Sequence, residues 1–226
     1  MSLVRTYSCG GVTIAVWEIA EDTENMLANL SPADVSAVSR FASEERRREW
    51  LAVRLLLHSV LGCDASIEYD DKGKPCLVGV DGYVSISHTK GYAAIAFSGS
   101  FPVGLDMELS NREVGAVARR FMYEEDLAVL PQEKWNEYKL IRWTAAEALF
   151  KLVGDLGGSY RENIAVKDFV PGNSGLLDLS IKGLPCSPLD YTAFYIFDNP
   201  LLLTLCCDKG SFDALLSEQD VFFVSL

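Results

Sequence analysis

The stretch Val103 to Glu108 mixes alternating apolar residues with two carboxylates, which limits the structures that it can adopt. Successive side chains of an extended strand point to opposite faces, so Asp106 and Glu108 share one face. Two carboxylates this close repel each other unless a cation lies between them, and oxygen ligands at short spacing suit Mg²⁺. Gly104 allows another backbone or a ligand to come close. The alternative is an exposed strand edge whose carboxylates face water.

A long helix is predicted over residues 43–61, with Ser43 as its N-cap. It carries three consecutive arginines, residues 46–48, and then Arg54, in a chain whose formal net charge is −12. Arg47 and Arg54 are seven residues apart and therefore lie close to one face. Arg54 stands among leucines, which favours an inward, functional role, whereas Arg46 and Arg48 are expected to pair with nearby glutamates at the surface.

The rest of the first half is predicted to contain strands, turns and shorter helices. The glycine and proline of segment 70–75 indicate a turn that carries Lys74. The alternating segment 84–89 is typical of a strand, with Ser87 and His88 on opposite faces. A turn lysine is usually solvated, and a histidine at a strand end is usually structural. The other predicted elements are strands at 12–19, 67–69 and 92–97, a helix at 21–30 and a helix with Ser31 as its N-cap.

A second long helix is predicted over residues 132–153. Glu147 and Lys151 are four residues apart in it and share one face. The alternative is an ordinary helix ion pair worth about 0.3–0.5 kcal/mol, but the flanking residues are largely apolar, and a carboxylate there needs a partner. The other predicted elements of this half are a helix at 112–130 interrupted near Tyr123, strands at 164–169, 175–181, 191–197, 201–207 and 221–226, and a hairpin turn at 198–200.

Each half of the chain thus has a long helix and several strands, which indicates an α+β fold. The boundary is expected near residues 98–102, between subdomains 1–101 and 102–226, and it places the acidic stretch at the junction. Clefts between such halves are favoured ligand sites.

Charge and cysteine content exclude several classes of protein. A net charge of −12 argues against nucleic acid as the main partner, because phosphate binding needs a basic field. The six cysteines form no CxxC pair and no Cys/His cluster at zinc spacing, which favours reduced thiols in the cytoplasm. We expect no signal peptide, and no apolar run approaches the roughly 20 residues of a membrane span.

Four short motifs, taken together in their order along the chain, resemble those of a known protein family. They are Gly73-Lys74-Pro75, Ile86-Ser87-His88-Thr89, Val103-Gly104-Leu105-Asp106-Met107-Glu108, and Trp143-Thr144-Ala145-Ala146-Glu147 followed by Lys151. In this order and spacing, over about a third of the chain, they resemble the Sfp-type 4′-phosphopantetheinyl transferase family. Ser31-Pro32 and Arg54-Leu55-Leu56 extend the likeness weakly towards the N-terminus.

The resemblance implies a monomer built as a pseudo-dimer of two similar α+β subdomains, with the active site at their interface. It implies transfer of 4′-phosphopantetheine from coenzyme A to a serine of an apo carrier protein, with release of 3′,5′-ADP. The implied Mg²⁺ ligands are Asp106, Glu108 and Glu147, and Lys151 would lie by the reacting phosphate. The residues implied in coenzyme A binding are Lys74, Ser87, His88, Arg47 and Arg54.

Two positions depart from the family pattern: Ala146 stands where a lysine is usual, and Thr89 replaces a common serine. The first removes a positive charge, which motivates a second hypothesis, a carrier- or nucleotide-binding module of the same fold without turnover. A third hypothesis is a Mg²⁺-dependent phosphohydrolase. The chemistry of the residues favours the transferase, because metal and cations can neutralise a phosphoanhydride and Glu147 can accept the serine proton.

Overall fold

The computed structural model describes residues 3–28, 30–62, 65–115, 117–127, 130–155, 157–182 and 190–217. The described residues divide into two compact units, the first within Met1–Phe101 and the second Pro102–Ser217. Each unit packs one long helix against an antiparallel sheet. The fold is therefore mixed α and β with separate sheets, which confirms the predicted class. No helix in the described segments combines the length and apolarity needed to cross a membrane.

The first unit is built on a four-stranded sheet and a separate two-stranded one. Its strands are β1 (Leu3–Cys9), β2 (Val12–Glu18), β3 (Ser66–Tyr69), β4 (Pro75–Val78), β5 (Tyr83–Thr89) and β6 (Tyr92–Ser98). The larger sheet has the order β1-β2-β6-β5, and β3 pairs with β4. The turn between β3 and β4 has Gly73 at a φ of +81°, a backbone conformation that favours glycine.

Two of the three described helices of the first unit begin where the sequence predicts, and the helix expected at 21–30 is shorter, with Asp22 as its N-cap. The helices are α1 (Thr23–Leu27), α2 (Pro32–Val38) and α3 (Glu44–Leu61). The hydroxyl of Ser31 accepts the backbone N–H of Asp34, and that of Ser43 accepts the N–H of Arg46, so each serine is an N-cap. The helix α3 packs on β2 and β6, and Leu51 and Leu56 share its hydrophobic core with strand residues.

The second unit contains a five-stranded antiparallel sheet of order β7-β11-β10-β9-β8. Its strands are β7 (Gly104–Leu109), β8 (Ile164–Val166), β9 (Ser174–Ile181), β10 (Asp190–Asp198) and β11 (Leu201–Asp208). The predicted hairpin turn joins β10 to β11, and β11 separates β7 from the rest of the sheet. In this register Asp106 lies opposite Thr204 and Glu108 lies opposite Leu202.

The helices of the second unit are α4 (Trp135–Val153), α5 (Tyr160–Asn163) and α6 (Lys209–Ser217). The helix α4 packs on β7 and β11, with Ile141, Ala145 and Leu149 in the core. Gly104 makes this packing close, because a Cβ built on it would lie 2.0 Å from the carbonyl oxygen of Ala148. The predicted close approach of another backbone at Gly104 is therefore confirmed.

Some predicted elements differ from the structure. The helix expected at 112–130 is wrong, since its described part holds only two short 3-10 helices, Ala118–Arg120 and Glu124–Leu127. The carboxylate of Asp126 accepts the N–H of Tyr123 and lies 3.5 Å from Arg142, which favours a turn there. The strands β1 and β4 and the helices α5 and α6 were not predicted, and the strand expected at 221–226 lies outside the described residues.

Candidate functional site

The strand β7 buries both carboxylates of the acidic stretch. Asp106 and Glu108 are each 6% exposed, and Leu105 and Met107 on the opposite face are fully buried. The alternative of a strand edge whose carboxylates face water is therefore wrong. Buried carboxylates need cations or hydrogen-bond donors nearby, because leaving water costs an ionised group several kcal/mol or more.

Two cationic side chains of the second unit form ion pairs with these carboxylates. The Lys151 ammonium, on the last turn of α4, lies 2.8 Å from the Oδ1 of Asp106 and donates a second hydrogen bond, at 2.9 Å, to the carbonyl oxygen of Leu105. Arg112, which follows β7, is hydrogen-bonded to Glu108, and this bond raises the pKa of the guanidinium. Lys151 thus joins α4 to β7 at the point where the acidic residues lie.

Glu147 lies one turn before Lys151 on α4 and completes the acidic group. Burial raises the pKa of its carboxyl, and the charge of Asp106 raises it further, while Lys151 opposes both effects. Arg112 is attracted by Glu108, Asp106 and Glu147 together. The structure therefore brings the three predicted carboxylates and Lys151 within electrostatic range of one another.

The donor set of this group fits a hard divalent cation, because all three side chains offer carboxylate oxygens. Among the described residues, no three His, Cys, Asp or Glu side chains already stand at metal-ligand spacing. Asp106 and Glu108 instead accept hydrogen bonds from Lys151 and Arg112. A cation with more charge than either side chain would compete with them for the same oxygens.

The other residues of the fourth motif have structural roles in α4. The hydroxyls of Thr144 and Thr204 form a buried hydrogen bond of 2.7 Å that fixes α4 against β11. Ala146 is 2% exposed and belongs to the hydrophobic core. The alanine at this departure from the family pattern therefore contributes to the packing of α4.

Sequence reasoning missed Tyr160, whose ring lies against Trp143 and Phe150 and whose hydroxyl interacts with the Glu147 carboxylate. Burial and the neighbouring Glu147 charge raise the pKa of the phenol. The sequence shows only an aromatic residue after a glycine-containing loop, and this pattern carries no sign of a contact with a residue thirteen positions earlier.

In the first unit, Arg54 is a buried cation beside a cavity. It is 5% exposed, and its guanidinium carbon lies 3.8 Å from the ring centroid of Trp50. Its Nη1 donates to the hydroxyl of Tyr69 at 3.4 Å, and burial lowers the pKa of the guanidinium. The cavity has a volume of about 480 Å³ and is also lined by Asp34 and Arg40. Within the described part of the chain, Arg54 has no carboxylate at ion-pair distance.

The arginine triplet at the start of α3 is divided between two environments. Arg47 donates to the carbonyl oxygen of Phe41 at 2.7 Å and lies 3.4 Å from Glu44. Arg46, to which the sequence assigns only a surface role, lies 2.7 Å from the Nε2 of His88. Arg46 is therefore the member of the triplet that meets a residue of the predicted site.

The remaining predicted residues lie on β5 and in the turn before β4. Ser87 is buried and His88 is largely exposed, as expected for neighbours on a strand. Lys74 is exposed, and its backbone N–H donates to Asp70 at 2.8 Å, which fixes the turn. The structure thus associates His88 with α3 through Arg46 and presents Lys74 at a turn.

Comparison with known proteins gives a consistent set of relatives. The chain is 28% identical over 163 residues to the 4′-phosphopantetheinyl transferase HetI of Nostoc sp., a match covering 63% of this chain and 69% of HetI. It is 26% identical over 216 residues to the 4′-phosphopantetheinyl transferase Sfp of Bacillus subtilis, covering 91% of this chain and 92% of Sfp.

A third relative is the 4′-phosphopantetheinyl transferase AcpT of Salmonella typhimurium, 27% identical over 157 residues, which covers 65% of this chain and 80% of AcpT. No family model matches the chain. The match to Sfp runs through both units, beyond the third of the chain that holds the motifs. The resemblance inferred from the motifs is confirmed, and the chain is a relative of the 4′-phosphopantetheinyl transferases.

Proposed function

We propose that this protein transfers the 4′-phosphopantetheine moiety of coenzyme A to a serine hydroxyl of an apo carrier protein, with Mg²⁺ as its metal. One observation carries the proposal: Asp106, Glu108, Glu147 and Lys151 occupy the motif positions of the family and lie within electrostatic range of one another, the first two buried and the last two partly buried. The names of three relatives support a transferase of this type.

In the proposed reaction the serine oxygen forms a bond to the phosphorus that carries pantetheine. The bond between this phosphorus and the oxygen of the neighbouring phosphate breaks, and 3′,5′-ADP leaves with the electron pair. Glu147 accepts the serine proton directly or through water. Lys151 exchanges part of its contact with Asp106 for the reacting phosphate, whose developing negative charge it stabilises.

Asp106, Glu108 and Glu147 would hold Mg²⁺ in this reaction. The metal would supply neutralisation of the phosphoanhydride charge. In the structure Lys151 and Arg112 each hydrogen-bond one oxygen of these carboxylates, so a metal would share the carboxylates with these cations or compete with them. Both cations would then be available to contact the anionic substrate.

Coenzyme A recognition is proposed for residues of the first unit. Arg54 is suited to the 3′-phosphate, because it is buried beside a cavity, contacts aromatic rings, and has no carboxylate at ion-pair distance among the described residues. His88, held by Arg46, and the exposed Lys74 are suited to the other phosphates. The side chain of Arg47 must leave Phe41 and Glu44 to take part. The full set proposed from the sequence is Arg47, Arg54, Lys74, Ser87 and His88.

We further propose that one monomer contains the whole site, as a pseudo-dimer in which residues 1–101 bind coenzyme A and residues 102–226 bind the metal. A cytoplasmic location is proposed with it. The free thiols of Cys76, Cys206 and Cys207 agree with a reducing compartment.

Mass spectrometry of intact apo carrier proteins tests the function. Carriers of the fatty acid, polyketide and nonribosomal peptide classes are incubated with the protein, coenzyme A and Mg²⁺. A gain of one phosphopantetheine on at least one carrier is expected, with no gain when its acceptor serine is replaced by alanine.

Other outcomes identify the competing functions. Coenzyme A binding without transfer to any carrier would indicate a binding module. Release of a nucleotide product in the absence of carrier would indicate a phosphohydrolase. Either result would overturn the proposed transferase activity.

A further inference from the structure

Tyr160 is the first residue of α5, and the local sequence fixes where it lies. The preceding residue, Ser159, donates from its backbone N–H and its hydroxyl to the carboxylate of Glu162, at 3.2 and 2.8 Å. These two hydrogen bonds hold the first turn of a very short helix. The carbonyl oxygen of Asn163 then accepts the N–H of Lys182 at 2.7 Å, which anchors the other end of α5.

The ring of Tyr160 packs against one face of α4. Its centroid lies 6.4 Å from that of Trp143 and 5.5 Å from that of Phe150. These two aromatic residues are seven positions apart, two turns of the helix, and Glu147 lies between them on the same face. The ring is therefore confined over Glu147, and its hydroxyl meets the carboxylate.

Glu147 needs such a partner more than its neighbours do. Asp106 and Glu108 have ionic partners in Lys151 and Arg112, whereas Glu147 is half-buried and repelled by Asp106. A glutamate side chain has three rotatable bonds, so holding it still costs conformational entropy. A hydroxyl fixed by packing can bind one carboxylate oxygen and leave the other for a ligand or a proton.

We propose that Tyr160 is a positioning residue: its hydroxyl, held by the contacts of its ring with Trp143 and Phe150, orients the Glu147 carboxylate for the reaction. This role rests on the proposed function of Glu147. Tyr160 follows the glycine-containing loop and belongs to none of the four motifs.

The variant Tyr160→Phe tests the role, because it removes one hydroxyl and keeps the ring. The matched control is Tyr195→Phe, in which another tyrosine of this unit loses a hydroxyl that accepts the N–H of Gly172 at 3.1 Å. We expect kcat to fall about tenfold in Tyr160→Phe, because the variant loses a hydrogen bond to a charged group. The KM for coenzyme A should change by less than about twofold. The control should keep the wild-type kcat.

A second comparison uses the background of Glu147→Ala. There Tyr160→Phe should change the residual rate by less than about twofold, because the two residues act through one contact. A readout independent of activity is calorimetric titration of the protein with Mg²⁺ alone, in which Tyr160→Phe should weaken binding and Tyr195→Phe should not.

The outcomes separate this role from the proposed function. An inactive wild type on every carrier overturns the transferase, and the Mg²⁺ titration then still decides whether Tyr160 orients Glu147. An active wild type with unchanged kcat and Mg²⁺ affinity in Tyr160→Phe overturns the positioning role alone. A similar fall of kcat in Tyr195→Phe would show that Tyr160 acts only through general stability. The same conclusion would follow if Tyr160→Phe lowered the rate equally in the wild type and in Glu147→Ala.

Discussion

The buried charged side chains at the candidate sites of the two units have different kinds of partner. In the second unit the carboxylates of β7 have cations of the same unit as partners, Lys151 for Asp106 and Arg112 for Glu108. In the first unit Arg54 lies between aromatic rings beside a cavity, and the described residues give it no carboxylate at ion-pair distance.

This difference indicates what each unit requires from a ligand. We expect an incoming anion to neutralise the charge of Arg54 without breaking an ion pair, because the described residues give this arginine none. The acidic group is already neutralised in part, so the metal proposed to bind there would share the carboxylates with these side-chain cations or compete with them. The first unit is therefore suited to direct anion binding, and the second to an exchange of partners.

The largest expected effect comes from breaking the acidic group. Asp106→Ala should lower kcat for transfer by about a hundredfold or more, because two carboxylates remain to hold a metal whose charge neutralisation is worth several kcal/mol. The protein should stay folded, since Lys151 keeps its hydrogen bond to the carbonyl oxygen of Leu105. Transfer assays at modest excess of Mg²⁺ and circular dichroism check both statements.

Asp178→Ala is the matched control, because Asp178 pairs with Lys167 at 3.3 Å on the surface of the same unit. It should keep wild-type activity. Normal turnover in Asp106→Ala would mean that the acidic group is structural only and that the proposed metal ligands are mistaken.

The next largest effect is expected on the affinity for coenzyme A, and it concerns Arg54, which has no carboxylate at ion-pair distance among the described residues. Coenzyme A should bind about tenfold to a hundredfold more tightly than dephospho-coenzyme A, from a charge-assisted hydrogen bond of about 1.5–3 kcal/mol to the 3′-phosphate. In Arg54→Met this preference should disappear. Calorimetry with both ligands measures it.

Lys139→Met serves as the control, since Lys139 is also a cation over a tryptophan ring, 5.6 Å from that of Trp135, but lies in the second unit. It should leave the preference intact. Equal affinity of the wild type for the two ligands would contradict the assignment of Arg54 to the 3′-phosphate and remove the contrast between the units.

A smaller effect, on stability, follows from the contact of β7 with α4. Gly104→Ala should lower the free energy of unfolding by about 1–3 kcal/mol, because the added methyl group would overlap the carbonyl oxygen of Ala148. Gly115→Ala is the control, since its Cβ would meet nothing within 4 Å. Urea denaturation compares the two, and equal stabilities would mean that α4 can shift without cost.

Local patterns were enough to predict the parts of the site that lie within one element. Strand alternation placed Asp106 and Glu108 on one face of β7, and helical spacing placed Glu147 and Lys151 on one face of α4. Cap residues such as Ser43 marked helix starts, because their hydrogen bonds are local.

Contacts between distant residues could not be predicted in this way. Lys151 and Asp106 are 45 positions apart, and their pairing depends on how closely Gly104 lets α4 approach β7. Tyr160 reaches Glu147 only because a capped turn follows the loop. The helix expected at 112–130 failed because Asp126 takes up a turn N–H and lies near Arg142. Pattern reasoning also undervalued Arg46, whose contact with His88 spans 42 positions.

The smallest expected effect concerns salt and the carrier protein. With a net charge of −12, the protein should attract an acidic carrier weakly or repel it at long range. Raising NaCl from low to moderate should leave KM for the carrier nearly unchanged or lower it, because a Debye length of about 10 Å at 0.1 M screens this repulsion.

Transfer assays at several NaCl concentrations, with Mg²⁺ and coenzyme A saturating, measure this dependence. Saturation matters because the charged sites of both units would otherwise add their own salt dependence to that of carrier docking. A KM that stays level or falls indicates docking through apolar contacts and a small basic patch. Salt has little effect on the short-range attraction of such a patch. A steep rise in KM with salt would instead show that basic residues near the site, such as Arg112 and Lys151, outweigh the net charge and attract the carrier over distance.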